Sequence, residues 1–327
     1  RHKKGNELIY FGHNAALKSM SRSPLGDQFV TGDEAGSIHL LSITTGALTG
    51  KELSGAKIKS SIRSLCFSGD GSKVVAATFD QKLHLIDLKS QKILSTLVLE
   101  TLPIYVAPVG PNGYVLAGNT QLAMIVDSKG KLSITADQKI SGIRAAHYNN
   151  GLLTVAQKEK VKVFPINVEN TSAPTSNIFK DAAEFSIPSG VIGTVHVNTV
   201  QNEVYVGTEA GRVYRADIDD LKAIGPFTEH KSGITSLELQ QVDGKNILAS
   251  SSLDKSAMIL PLNHLSTEPK GESEDEPIEL TDHDKWVMAS ALNRTGEYLI
   301  TISDDKKVRL WFTSMDHLAN KVSELGK

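Results

Sequence analysis

"DHDKWVMASALNRTGEYLITISDDKKVRLWF", residues 282–312, reads as three short strands divided by two turns. "VMASALN" is the first strand, "YLITIS" the second, and "VRLWF" a third that closes on Trp311. Gly296 supplies a permissive backbone in the first turn, and the polar "DDKK" makes the second. The third-strand pattern recurs six times upstream, at intervals of 38 to 52 residues. It appears as "SIHLLS" ending near Leu41, "KLHLID" at Ile86, "LAMIVD" at Val126, "KVKVFP" at Phe164, "RVYRAD" at Ala216 and "SAMILP" at Leu260. Each copy is preceded by a second apolar strand, such as "QFVTG" or "KVVAAT", and that by a first, such as "IRSLCFS" or "IGTVHVN". Self-similarity at this period marks a repeat architecture. Short strands at even spacing, with turn residues between them, predict a closed all-β fold rather than βαβ units.

The seventh copy resembles a WD40 repeat. The resemblance implies a hydrogen-bonded set: a His before the first strand, a Ser or Thr on the second, an Asp in the next turn and a Trp on the third. Here these positions fall on His283, Thr301, Asp305 and Trp311. The sixth copy keeps His230, Ser250 and Asp254 but has Leu260 in place of Trp. The first keeps His13 and Thr31 with Ala35 in place of Asp, and the second keeps Asp80 only. Copies three, four and five keep almost none of the set. The lost tryptophans are replaced by apolar residues, so burial between blades is expected to survive where the polar set does not. The implied fold is a single seven-bladed β-propeller over residues 1–327, with blades near 12–50, 51–95, 96–135, 136–180, 181–224, 225–275 and 276–313.

A ring of blades must close, or an edge strand stays open. "NELIYF", residues 6–11, has no partner in its own copy and is expected as the outer strand of the seventh blade, beside residues 307–313. Met315, Leu318, Val322 and Leu325 fall at helical spacing, which predicts a short amphipathic helix over 314–325. Two insertions lengthen the spacing, at 167–184 and 264–279. The second is acidic and reads as a solvated connection or a docking loop.

The length of 327 residues suits two ordinary domains or one large closed β domain. The 35 Lys and Arg against 37 Asp and Glu leave no basic excess of the kind nucleic-acid binding needs. The single cysteine, Cys66, excludes an intrachain disulfide and a Cys-rich metal site. No apolar run reaches the length of a membrane span, so no membrane contact is expected, and a cytoplasmic location is. The chain opens on "RHKKGNELIY" without a methionine and reads as a fragment or processed product.

Catalytic chemistry is sparse. "GALTGKE", residues 46–52, has three residues between its glycines and Glu52 after the Lys, so it fails as a phosphate loop and reads as a hairpin turn. His39 and His84 share a strand position expected at blade surfaces. His147 and His196 share a first-strand position, on blades too distant for a common metal. Cys66, in the apolar "SLCFS", reads as a packed thiol. In "SDD", residues 303–305, Asp305 is assigned to its turn and Asp304 to solvent. No catalytic, cofactor or metal set is expected.

The expected function is therefore a non-catalytic protein-interaction scaffold or sensor, monomeric, with a protein as partner. The degenerate copies and the tail "VRLWFTSMDHLANKVSELGK", residues 308–327, resemble the C-terminal propellers of bacterial signalling NTPases of the STAND type. That resemblance implies a fragment of a larger bacterial signalling protein. The alternative is an enzyme or cofactor-binding propeller with its site in the central channel. In WD40-like blades the start of the innermost strand reaches the face beside the channel. Aligned there are Lys18, Arg63, Tyr105, Arg144, Gly193, Thr235 and Met288, with Trp286 just before the last. Three cations and two aromatics on one rim suit an acidic segment of a partner, unless Tyr105 and Trp286 pack between blades.

Overall fold

The second strand of each copy is the most continuously apolar, and it is sealed in the structure. The structure is a computed structural model that describes residues 8–44, 47–166, 179, 182–227, 230–242, 245–262 and 278–313. "GYVLAG" (β11, Gly113–Gly118) and "YLITIS" (β27, Tyr298–Ser303) are buried along their whole length. Such strands lie inside their own sheet and between two neighbouring sheets, so both faces must be apolar.

The described residues form seven four-stranded antiparallel sheets, one per blade. The innermost strands are β2 (Leu17–Arg22), β6 (Ile62–Phe67), β10 (Pro103–Val109), β14 (Ala145–Asn149), β18 (Ile192–Asn198), β22 (Ile234–Val242) and β26 (Val287–Leu292). Each is followed by a second and third strand and then by an outer one. The outer strands are β5 (Ala47–Glu52), β9 (Lys92–Val98), β13 (Lys131–Lys139), β17 (Ala183–Ser186), β21 (Ala223–Ile224) and β25 (Ile278–Leu280). The seventh blade takes its outer strand from the start of the chain: β1 (Ile9–Tyr10) pairs with β28 (Val308–Phe312), Ile9 opposite Arg309 and Tyr10 opposite Val308.

The core is correspondingly a ring. Seven apolar clusters each bridge two adjacent blades. The one joining the seventh blade to the first brings Ile300, Ile302 and Leu310 against Leu17, Phe29 and Leu41. Closure therefore rests on side-chain burial as well as on the β1 ladder. A fully buried Leu, Ile or Phe contributes roughly 1.5–3 kcal/mol.

Three expectations about elements need correction. Residues 47–52 of "GALTGKE" form strand β5 rather than a turn. Residues 183–186 and 278–280 are the outer strands of the fourth and sixth blades, not parts of the blades that follow. The insertions precede the outer strand, and spacing alone does not show on which side of it they fall. The helix expected over 314–325 lies outside the described residues, as do most of both insertions.

Candidate functional site

The seventh blade holds its polar set as one relay. Trp311 Nε1 donates to Thr301 Oγ1 at 2.8 Å, Thr301 lies 2.7 Å from His283 Nε2, and His283 Nδ1 lies 2.9 Å from Asp305 Oδ2. This order makes Thr301 the donor to Nε2 and puts the ring proton on Nδ1, facing the carboxylate. Burial pushes Asp305 up, but the bond and charge of His283 together with the backbone N–H groups of Asp284 and Lys307 outweigh it and hold the carboxyl at about 2. Burial lowers His283 despite that bond. Asp305 Oδ1 also accepts the backbone N–H of Lys307 at 3.0 Å, so the carboxylate ties the turn to the relay. A hydroxyl, an imidazole and a carboxylate in line also describe a hydrolytic triad. Here the Thr301 side chain is sealed from solvent and engaged by Trp311, so no substrate reaches it.

The sixth blade repeats the arrangement without the indole. His230 Nε2 is 2.8 Å from Ser250 Oγ, and its Nδ1 is 3.0 Å from both Asp254 Oδ2 and Ser256 Oγ. The first blade corrects the sequence reading. Ala35 does not leave its set open, because Asp33 supplies the carboxylate from two residues earlier, 2.9 Å from His13 Nδ1. His13 Nε2 meets Thr31 Oγ1 at 2.8 Å. Asp33 Oδ1 accepts the N–H groups of Ala35 and Ser37, which fixes the same turn. In the second blade Asp80 binds Thr78 and Lys82 instead, and buried Ile58, Ala76 and Ile86 occupy the relay's place.

Several histidines lie elsewhere than expected. His39 and His84 are buried, not at blade surfaces. His39 accepts the Tyr10 hydroxyl at 2.7 Å and stacks on His13, while His84 bonds Thr96 at 2.9 Å. His147 and His196 sit on adjacent blades, with ring centroids 4.1 Å apart. They belong to a set that no motif announced. Innermost strands expose one row of N–H groups to the channel side, and the preceding blade supplies acceptors to it. Tyr105 Oη takes Tyr148 N at 3.1 Å, His147 Nδ1 takes Val197 N at 3.0 Å, His196 Nε2 takes Leu239 N at 3.4 Å, and Glu238 Oε2 takes Leu292 N at 3.3 Å. Burial holds His147 well below its ordinary value and His196 at about 4, and raises Glu238 to about 7. Among the described residues no group of three or more His, Cys, Asp or Glu is placed to hold a metal ion. Cys66 is buried and its thiol pushed up by that burial.

The rim beside the channel is shaped by bulges. In six blades the pairing of the first two strands slips at one residue, for example between Leu17 and Ser19 and between Ile62 and Ser64. A bulge re-aims the extra side chain out of the sheet. Lys18, Arg63, Gly193, Thr235 and Met288 consequently line one cavity of about 810 Å3. In the third blade the slipped residue is Ile104, not Tyr105. Tyr105 lies one residue on and turns inward against the cluster between the third and fourth blades. It is thereby removed from the candidate rim, because one step along a strand reverses the face. Arg144 holds the matching place in the fourth blade, and Trp286 stands exposed at 51% before β26.

The rim is less basic than its sequence suggests. Lys18 is paired with Asp304 at 2.8 Å and approaches Glu34 at 3.8 Å. Asp304 is thus held in an ion pair and only 15% exposed, not left to solvent. Arg144 is paired with Glu209 and donates to the Ile192 carbonyl at 3.2 Å. Among the described residues Arg63 has no carboxylate partner; its guanidinium lies 6.0 Å from the centre of the Phe79 ring. Phe79 is 58% exposed and lines the same cavity as Ile234, Leu253 and Met288.

Comparison with known proteins agrees with this architecture. The family model for the WD domain, G-beta repeat, matches residues 49–87 and 276–311. Both matches begin in or beside the outer strand of one blade and end on the third strand of the next, so the repeat is offset from the blade. The second copy is matched although it keeps only Asp80 of the polar set. A stretch of 37 residues is 43% identical to the nuclear distribution protein PAC1 of Tuber melanosporum (strain Mel28), covering 11% of this chain and 8% of that protein. Among solved structures, the WD40 β-propeller domain of Doa1 superposes with a TM-score of 0.72 at 11% identity, over 95% of this chain and 97% of that one. The chain carries WD repeats in a seven-bladed β-propeller.

Proposed function

We propose that this propeller is a non-catalytic scaffold that captures a protein partner at the rim where its innermost strands begin. The observation that carries the reading is the mouth of the 810 Å3 cavity: an uncompensated Arg63 over an exposed Phe79, with apolar Met288 and Leu253 in the same wall. Arginine and aromatic side chains are the usual anchors of protein interfaces. The alternative, an enzyme or cofactor site in the channel, would use the converging His147, His196 and Glu238. All three are engaged as acceptors for the next blade, which favours a structural role. The pairing of Lys18 and Arg144 also changes the partner expected. A segment with one carboxylate among apolar side chains complements this rim better than a run of acids.

The test is affinity capture from lysate with the purified chain and with Arg63→Ala, Phe79→Ala and Trp286→Ala combined. Capture is expected to disappear while the melting temperature stays the same. Undiminished capture moves the interface elsewhere, first to the acidic segment 264–279. The wider setting proposed is that of a cytoplasmic, monomeric sensor domain in a larger bacterial signalling protein, without nucleic-acid or membrane contact. It rests on the degenerate repeats, the sequence of residues 308–327 and the balanced charge.

A further inference from the structure

The innermost strands carry a second cavity at their other ends. Four residues beyond Lys18 in β2 is Arg22, on the order of 13 Å along the strand. There a cavity of about 330 Å3 is lined by Arg22, Arg294, Ser21 and Ser23, with Phe67 and Pro108 among its apolar walls. That volume suits a small ligand. Among the described residues no carboxylate lines it. Arg22 is set in place from behind: Nη1 donates to Gln240 Oε1 at 3.0 Å and to the Leu292 carbonyl at 3.1 Å. Gln240 in turn donates to the carbonyls of Asn293 and Arg294, at 2.9 and 2.8 Å, so one amide fixes both arginine-bearing segments. The Arg294 guanidinium has no hydrogen-bond or ion-pair partner among the described residues. The carboxylate nearest Arg22 is Glu238, at 4.0 Å. We infer that this mouth is a binding site for a compact oxyanion of the phosphate type, held between the Arg22 and Arg294 guanidinium groups. A planar guanidinium with fixed orientation matches such an anion through paired N–H donors. The inference is independent of the interface proposed at the opposite rim.

Isothermal titration calorimetry at low ionic strength tests it, with inorganic phosphate in one arm and phosphoserine in the other. Choline chloride serves as the cation control. Saturable binding at one site per chain is expected for at least one anion and none for choline. Phosphate alone identifies the free ion as ligand; tighter binding of phosphoserine identifies a phosphoryl group carried on a small organic body. Arg294→Gln should weaken binding tenfold or more at unchanged melting temperature, because its guanidinium holds no hydrogen bond or ion pair among the described residues. Arg22→Gln should weaken it further. Should Arg22→Gln fail to fold, Arg294→Gln decides alone. Absence of saturable binding, equal affinity in Arg294→Gln, or a loss confined to Arg63→Gln at the other rim would overturn the inference.

Discussion

Thr301 and Thr154 hold the same place in the seventh and fourth blades, each ten residues before the position that is Trp311 in one and Phe164 in the other. Their surroundings differ in kind. Thr301 accepts from an indole and donates to an imidazole. The buried Thr154 hydroxyl has no partner among the described residues. Removing half of a buried hydrogen-bonded pair costs about 1–3 kcal/mol, whereas removing an unpaired polar group relieves a cost. Thr301→Val is therefore expected to lower the unfolding free energy by about 1–3 kcal/mol. Thr154→Val should leave it unchanged or raise it. Urea unfolding of both variants checks the contrast, and a similar loss in both would refute it. Asp305→Ala should resemble Thr301→Val, since it leaves His283 and the Lys307 N–H without their acceptor.

At the scale of the element, the strands were legible because their signal is repetitive. Seven apolar second strands, each paired with a third, force one class of architecture, and an unpaired "NELIYF" has one place to go. The polar relay was legible where a single spacing carries it, as at His283. It was missed in the first blade, where a carboxylate two residues away reaches the same turn. The cross-blade acceptors are a phenol, two imidazoles and a carboxylate, so an alignment of letters marks the pair His147 and His196 but not the set with Tyr105 and Glu238. The aligned residues of five blades line one cavity, whereas in the third the slip falls one residue earlier and Tyr105 turns inward. That shift can be measured. Tyr105→Phe strands the Tyr148 N–H and should cost about 1–3 kcal/mol in stability. Thermal unfolding of this variant checks it, and a midpoint equal to that of the unsubstituted chain would remove Tyr105 from the cross-blade acceptors. Strand β1 offers a second test: Ile9→Pro breaks the two-residue strand opposite Arg309 and should lower the midpoint of one cooperative transition. A separate early transition of the seventh blade alone would show that closure is not shared around the ring.

The ring as a whole should be sensitive to acid, and the direction follows from its histidines. Burial depresses His39 and His196 to about 4, His147 well below its ordinary value, and His84, His230 and His283 below theirs. In the unfolded chain each titrates near 6.5. Between that value and the folded one, the unfolded state binds more protons, so stability falls as pH falls. All six groups act in the same direction, so their losses add as pH falls toward 5. Glu238 opposes them. Its carboxyl is raised to about 7, so the native state takes up that proton first and gains stability as pH drops toward the ordinary carboxylate range. One carboxyl against six imidazoles does not reverse the trend. The carboxylates held low, Asp305 and Asp80 at about 2 among them, add their loss only below pH 4. Melting temperature should accordingly decline steadily from pH 7.5 to 5, before any carboxylate of the relays is protonated. His196→Gln removes one depressed imidazole and should flatten the slope. Its amide oxygen can take the place of the Nε2 that accepts the Leu239 N–H. A melting temperature constant across that range would mean that these rings reach water in the folded ring, and would remove the assignment of His147 and His196 as fixed acceptors between blades.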